Sequence, residues 1–278
     1  MGIAIDPASG RIYVTNSGRG TVSVIDPLTS TVVASVRVGR EPGQIVLNPK
    51  THHLYVANYA DRTVSVVDTA ANAVVDTLEV GGLGLALDAG AQRIYATAGT
   101  TLSIIDGSTD TVFTTLAAPA GANLWGVAVD EAAQRVYVTD IFAPRVLVFD
   151  GDGKSVGAIA IDDPGRFALA VDSANKRVYV ASYVRAGARL FVIDAGTNTL
   201  VGKLTLGGLP FGLALDPTKN LLYASSFTDG TVTTIDRTTR LALLTQPAGR
   251  QAAGLAVNPT SGQLYVAAFG DATVVTRP

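Results

Sequence analysis

One motif recurs seven times. Tyr13, Tyr55, Tyr95, Tyr137, Tyr179, Tyr223 and Tyr265 each sit in a run of the form [Ile/Leu/Val]-Tyr-[Val/Ala], at successive spacings of 42, 40, 42, 42, 44 and 42 residues. A period in this range belongs to repeat architectures, in which one unit cannot bury its apolar face alone and stacks on its neighbours. The repeat runs end to end, which predicts a single domain over residues 1–278. Its units fall at approximately 1–40, 41–80, 81–120, 121–162, 163–206, 207–249 and 250–278.

Within a unit, four short apolar runs alternate with polar turns. In the second unit they are Gln44–Leu47, Leu54–Ala57, Thr63–Val67 and Ala73–Leu78. The runs are rich in β-branched residues, and Thr63-Val64-Ser65-Val66 alternates in the manner of a half-buried strand. Asn48-Pro49-Lys50-Thr51, Asn58-Tyr59-Ala60-Asp61 and Asp68-Thr69-Ala70-Ala71-Asn72 supply turn chemistry between them. The runs are too short for helices and predict four antiparallel strands, a to d. Seven such units predict an all-β fold, a seven-bladed β-propeller with four antiparallel strands per blade. The chain stops within strand c of the seventh unit, so that blade is expected to be three-stranded, with no strand exchange between the termini.

Tyr13-Val14-Thr15-Asn16, with its variants Tyr55-Val56-Ala57-Asn58 and Tyr137-Val138-Thr139-Asp140, resembles the YVTN repeat family of β-propellers. Gly2-Ile3-Ala4-Ile5-Asp6-Pro7 before it and Thr21-Val22-Ser23-Val24-Ile25-Asp26 after it fit the same resemblance. The resemblance spans the whole chain. It implies the propeller fold and, through the family, an exported protein, although Met1-Gly2-Ile3-Ala4 has no signal-peptide shape. It says little about activity, because one fold hosts many functions.

Composition excludes several classes. The 21 basic and 23 acidic residues leave a net charge of −2, with no basic excess to neutralise phosphates, so nucleic-acid binding is not expected. The absence of cysteine excludes disulfides, thiolate metal ligands and cysteine nucleophiles. No apolar run reaches the length of a membrane span. His52 and His53, the only histidines, are adjacent in an a–b turn and are expected to be surface residues. No Ser-His-Asp or histidine–metal site is then available on the other face. No cofactor and no metal are expected, and the chain is expected to be a monomer.

Strand a explains its own composition. Its first residue is Gly2, Gln44, Gly84, Gly126, Ala168, Gly212 or Gly254, and small side chains are what innermost strands require where backbones converge. The Asp or Asn that closes strand a (Asp6, Asn48, Asp88, Asp130, Asp172, Asp216, Asn258) is expected to cap the a–b turn rather than catalyse. The repeat tyrosine is expected to pack between blades, with its hydroxyl partnered.

Topology puts the d–a and b–c loops on one face and the a–b and c–d turns on the other. The departures from the repeat collect in the first set. Tyr59 and Tyr183 fall in b–c loops, as do Phe142, Phe227 and Phe269, while Trp125, Phe167 and Phe211 lie just before strand a. Eight of the sixteen arginines share this face, among them Arg40, Arg166 and Arg250. Arginine with aromatics is the composition of a recognition surface. The competing reading is that the aromatics plug the channel mouth and the arginines pair with carboxylates such as Asp61, Asp140 and Asp271.

The sequence therefore points to a non-catalytic binding scaffold. Its ligand-binding candidates are Arg40, Tyr59, Trp125, Phe142, Arg166, Phe167, Tyr183, Phe211, Phe227, Arg250 and Phe269. Its partner would be a peptide, a protein surface or an anionic, partly apolar small molecule. Two alternatives stand beside it. One is a lyase, cyclase or isomerase with Glu41, Asp61 or Asp140 as acid or base, or as hard-cation ligands with carbonyls and Asn16, Asn58 or Asn123. The other is a structural module of a secreted or surface-layer protein.

Overall fold

The computed structural model describes residues 2–162, 167–184 and 187–277; Asp163, Arg166 and Arg185, and the side chains of Phe167, Tyr183 and Val184, lie outside the described residues. The strands, taken blade by blade in the order a to d, are as follows. Blade 1 is β1 (Ile3–Ile5), β2 (Ile12–Asn16), β3 (Thr21–Asp26) and β4 (Thr31–Arg37); blade 2 is β5 (Pro42–Asn48), β6 (His53–Asn58), β7 (Thr63–Asp68) and β8 (Ala73–Leu78). Blade 3 is β9 (Leu85–Asp88), β10 (Arg93–Thr97), β11 (Thr101–Asp106) and β12 (Thr111–Ala117); blade 4 is β13 (Leu124–Asp130), β14 (Arg135–Asp140), β15 (Arg145–Asp150) and β16 (Ser155–Ala160). Blade 5 is β17 (Phe167–Asp172), β18 (Arg177–Val184), β19 (Gly187–Asp194) and β20 (Thr199–Leu206); blade 6 is β21 (Pro210–Asp216), β22 (Leu221–Ser226), β23 (Thr231–Asp236) and β24 (Ala242–Pro247). Blade 7 is β25 (Ala252–Val257), β26 (Leu264–Ala268) and β27 (Thr273–Arg277).

Each sheet is ordered as its strands occur in the chain, six with four strands and the last with three. These are the seven blades of a β-propeller. β1 pairs with β2 and β27 with β26, so no strand is exchanged between the ends. The chain groups into two compact units, Met1–Val138 with Phe149–Val156, and Thr139–Val148 with Gly157–Pro278. Each is described by itself.

In the first unit, the alternation of strand c buries one row of side chains completely: Val22, Val24, Val64 and Val66 have no exposed surface. Tyr55 joins Val64, Val66, Leu85 and Ile94 in one core cluster, so strand b of blade 2 packs on blade 3. Each buried ring removes roughly 150–250 Å² from water, several kcal/mol at about 25 cal/mol/Å². The second unit repeats the arrangement with Tyr179 against Leu222, Ala224 and Ile235, and with Tyr223 against Leu255, Leu264 and Val266.

The a–b turns share one geometry. The Asp or Asn at the end of strand a accepts backbone N–H bonds within the turn, as in Ala8 N to Asp6 Oδ1 at 3.0 Å and Thr260 N to Asn258 Oδ1 at 2.9 Å. Four residues later the backbone turns left-handed, at Gly10, His52, Gln92, Gln134, Lys176, Asn220 and Gly262. Glycine meets that demand without steric cost, whereas other residues pay on the order of 1 kcal/mol. The capping reading of these carboxylates holds in the structure.

The small residues of strand a have a cause as well. A Cβ on Gly2 would lie 2.6 Å from the carbonyl oxygen of Gly43, and one on Gly84 2.4 Å from that of Trp125. In the second unit, a Cβ on Gly212 would lie 2.6 Å from the Ala253 oxygen. In each case the obstacle is the next blade's strand a. The gap is bridged by the residue two places after the repeat tyrosine. The Thr15 hydroxyl accepts from Gly2 N at 2.6 Å and donates to Gly43 O at 2.9 Å. Thr97 does the same between Gly84 and Trp125, and Ser225 between Gly212 and Ala253. Asn16 and Asn58 complete the motif. Each amide donates within its own blade, Asn58 Nδ2 to Thr63 Oγ1 at 3.0 Å and to Ser65 Oγ at 2.9 Å.

Candidate functional site

The b–c and d–a loops come together as the topology requires. Tyr59 N donates to Glu41 O at 3.1 Å, Phe227 N to Leu209 O at 2.7 Å and Phe269 N to Gln251 O at 3.1 Å. These bonds anchor one aromatic residue per blade at the loop tip, in blades 2, 6 and 7.

In the second unit this produces a row of three rings. Phe211 and Phe227 stack with centroids 5.5 Å apart, and Phe227 meets Phe269 at 6.2 Å with a tilt of 41°. Both spacings lie in the range of favourable aromatic pairs. Phe211 is 39% and Phe269 43% exposed, so the row faces solvent. Phe211 does not precede strand a, as the sequence suggested. β21 starts at Pro210, and its pairing with β22 skips from Pro210 to Leu213, so Phe211 and Gly212 sit in a bulge. A bulge re-aims a side chain out of the regular alternation, which is how a strand residue comes to stand beside two loop residues.

Arg250 lies beside this row. Its Nε donates to Asp271 Oδ1 at 2.7 Å, its backbone N to Asp271 Oδ2 at 2.6 Å, and its Nη2 to Gly270 O at 2.6 Å. The guanidinium and then the backbone N–H hold the Asp271 carboxyl below its ordinary range. The Arg250 side chain is 78% exposed. Two of its five side-chain N–H groups are spent on this anchor, so it presents the other three in a fixed orientation.

In the first unit, Tyr59 (50% exposed) meets Trp125 at 6.2 Å with a tilt of 55°. Tyr59 belongs to blade 2 and Trp125 to strand a of blade 4, again inside the strand rather than before it. Arg40 repeats the Arg250 arrangement: its backbone N donates to Asp61 Oδ2 at 2.6 Å and its Nε to Asp61 Oδ1. Those bonds, the backbone one first, lower the Asp61 pKa. Arg40 and Arg250 are each followed by a residue in left-handed conformation, Glu41 at φ 52 and Gln251 at φ 55. Glu41 is exposed and takes part through its carbonyl.

The remaining candidates sort as follows. Phe142 is 70% exposed, and its ring makes no aromatic contact among the described residues. Asp140 is fully buried, accepting Phe142 N at 3.1 Å and Arg145 Nε and Nη2 at 2.9 Å each. Arg166 and the side chains of Phe167 and Tyr183 lie outside the described residues. Tyr183 does not belong to a b–c loop: β18 runs on to Val184, and Tyr183 pairs with Ala188 of β19. Among the described residues no group of three or more His, Asp or Glu side chains could hold a metal. Among the described residues no helix is long and apolar enough to cross a membrane.

His53 is not the surface-turn residue that its place in the sequence suggests. It begins β6, is half-buried, and donates from Nδ1 to Asp110 Oδ2 at 2.7 Å. Tyr55 donates to the other oxygen of the same carboxylate. Burial, and then this carboxylate, push the Tyr55 phenol up. The group ties blade 2 to the c–d turn of blade 3. In the second unit a recess of about 250 Å³ is lined by Tyr179, Lys203, Asp236 and Arg240 among others. That is below the usual size of a small-molecule site.

No family model matches the chain. A 46-residue stretch is 50% identical to the PE-PGRS family protein PE_PGRS18 of Mycobacterium tuberculosis, covering 16% of this chain and 10% of that protein. The chain thus spans a small fraction of that relative's length. Among solved structures, a chain of the hydrazine synthase of Kuenenia stuttgartiensis superposes with a TM-score of 0.89 at 17% identity, over 99% of this chain and 94% of that one. A chain from the crystal structure of the mitotic checkpoint complex superposes with a TM-score of 0.84 at 13% identity, over 99% of this chain and 85% of that one. At these identities the likeness shows the fold alone.

Proposed function

We propose that this propeller is a binding scaffold that recognises a peptide or protein segment on the b–c and d–a loops of blades 6 and 7. The single observation that carries this reading is the solvent-facing row Phe211–Phe227–Phe269. A contiguous exposed aromatic patch is costly to leave in water, and a patch rimmed by polar groups is the usual mark of an interaction site. Arg250 supplies the rim, held in place by Asp271. The ligand would lay an apolar side chain on the phenyl rings and set a carboxylate against the Arg250 guanidinium.

Three of the loop carboxylates favour binding over catalysis. Asp271 and Asp61 are consumed by Arg250 and Arg40, and Asp140 by Arg145. A general acid or base needs a carboxyl that faces a substrate. We also assign the chain to the YVTN type. What supports this is the roles of Thr15 and Asn16, which give the polar letters of the motif a reason to recur.

A titration tests the reading. Blocked heptapeptides carrying one Leu, Phe or Trp beside one Asp or Glu would be added to ¹⁵N-labelled protein and followed by amide shifts. The expected result is saturable shifts centred on Phe211, Phe227, Arg250 and Phe269. Shifts scattered over the surface, or none at millimolar peptide, would reject it.

A further inference from the structure

In blade 2 the repeat tyrosine, Tyr55, donates to Asp110, the left-handed residue of the next blade's c–d turn. Blade 5 meets an arginine at that place. Arg240, at φ 60, follows Asp236 in the c–d turn of blade 6 as Asp110 follows Asp106 in blade 3. An arginine side chain offers no acceptor. Tyr179, the repeat tyrosine of blade 5, is 2% exposed, and its hydroxyl has no hydrogen-bond partner among the described residues. Arg240 Nη1 donates instead to Val201 O of β20 at 2.8 Å.

Strand d of blade 5 makes room for this guanidinium. Tyr179, Val192 and Gly202 are partners across β18, β19 and β20. The counterparts of Gly202 in blades 1, 2, 3 and 6 are Ala34, Asp76, Thr114 and Leu244. A Cβ on Gly202 would lie 3.2 Å from Arg240 Nη1. The recess of about 250 Å³ lies here, with Leu190, Val192, Leu204 and Ile235 as its apolar lining.

The charges around it are mostly committed. Burial, and then the Asp172 charge, push the Tyr179 phenol up, while the Arg237, Arg177 and Arg240 guanidiniums draw it down. Arg237 pairs with Asp172 and Arg177 with Asp194, but Arg240 has no ion pair among the described residues. Lys203 Nζ pairs with Asp162. Asp236 Oδ1 accepts Thr239 N at 2.6 Å and Thr239 Oγ1 at 3.0 Å, and these two bonds hold its carboxyl below the ordinary range. The recess therefore combines one uncommitted cation, one buried hydroxyl donor, one ionised carboxylate and an apolar lining.

We propose that this recess binds a compact aliphatic carboxylate, about the size of a branched-chain amino acid. The two carboxylate oxygens take the Arg240 guanidinium and the Tyr179 hydroxyl, and the hydrocarbon chain lies against Leu190, Val192, Leu204 and Ile235. A hydrogen bond between two charged groups is the strong kind, and a buried hydroxyl left without a partner is costly. The volume suits a ligand of this size rather than a drug-sized one. A simple branched acid and a branched-chain amino acid share this chemistry. They differ by an ammonium group, which the ionised Asp236 favours. The site shares no residue with the loop patch and does not depend on it.

The test titrates sodium isovalerate, L-leucine and isopentyl alcohol into the ¹⁵N-labelled full chain. Both acids should give saturable amide shifts centred on Gly202, Leu204, Asp236 and Arg240, with a Kd of about 1 mM for so small a ligand. The alcohol, which lacks the carboxylate, should give none. The tighter of the two acids identifies the source, leucine for an amino acid and isovalerate for a simple acid. R240N installs the residue that Asn72 and Asn198 supply at the same turn position, and should weaken both acids about ten- to hundredfold. Y179F should weaken them roughly three- to tenfold. G202L installs the residue of Leu244 and should block the recess; if it fails to fold, R240N and Y179F carry the decision. No shift at tens of millimolar acid, an equal response to the alcohol, or equal binding by R240N would overturn the proposal. So would shifts confined to Phe211, Phe227, Arg250 and Phe269.

Discussion

The hydroxyl of Tyr95 donates to the carbonyl oxygen of Gly151 at 2.8 Å. The two residues are in strand b of blade 3 and in the c–d turn of blade 4, so the repeat tyrosine is a latch between neighbours as well as a core side chain. Tyr55 makes the equivalent reach to Asp110. Burial pushes both phenols up, so both stay protonated donors across the working pH range.

Tyr95→Phe should keep the packing and lose the latch. The expected cost is about 1 kcal/mol of unfolding free energy, the net worth of a neutral hydrogen bond. Tyr55→Phe should cost more, because the Asp110 carboxylate is left short of a donor. Urea unfolding at pH 7 would check both, and equal losses at the two sites would contradict this account of Asp110.

The Thr15 bridge makes a sharper forecast. Thr15→Val keeps the shape but leaves Gly2 N and Gly43 O without their shared hydroxyl. The expected destabilisation is about 1–3 kcal/mol. Thr15→Ser should restore most of it, as Ser225 makes the same pair of bonds in blade 6. If valine and serine behave alike, the hydroxyl is not what joins the strands.

Asp271 and Asp61 give a pH signature. Their folded-state pKa values lie below the ordinary carboxylate value, so the stabilisation they supply is complete above that value. It is lost as pH falls through the lower folded value. The stability gap between wild type and Asp271→Asn should therefore be constant from about pH 7 to 5 and close below about pH 4. Both aspartates are at the surface, so the gap should also shrink with salt. Urea midpoints at several pH values measure it; a gap that widens towards low pH would refute the pairing.

The architecture was legible because period, alternation and turn residues all point one way, and because strand a shows its crowding directly in glycine and alanine. The aromatic row was half legible. Aligning the repeats brought Phe227 and Phe269 to one position, but the bulge that turns Phe211 towards them leaves no mark beyond Gly212. Two contacts were not legible at all. His53 and Asp110 meet because the c–d turn of blade 3 goes left-handed at Asp110, at φ 58, and aims its carboxylate at blade 2. The Thr15 bridge joins three backbone segments, and single-sequence pattern carries no trace of a side chain shared between blades.

The central claim is that the residues departing from the repeat serve recognition and not packing. Replacing Phe211 and Phe269 together by serine separates the two roles. Unfolding free energy and binding of the tightest heptapeptide would be measured on the same protein. The account predicts a loss of stability of about 1–2 kcal/mol, the worth of the two aromatic contacts removed, with binding lost. Stability lowered by several kcal/mol, or peptide affinity unchanged, would contradict it.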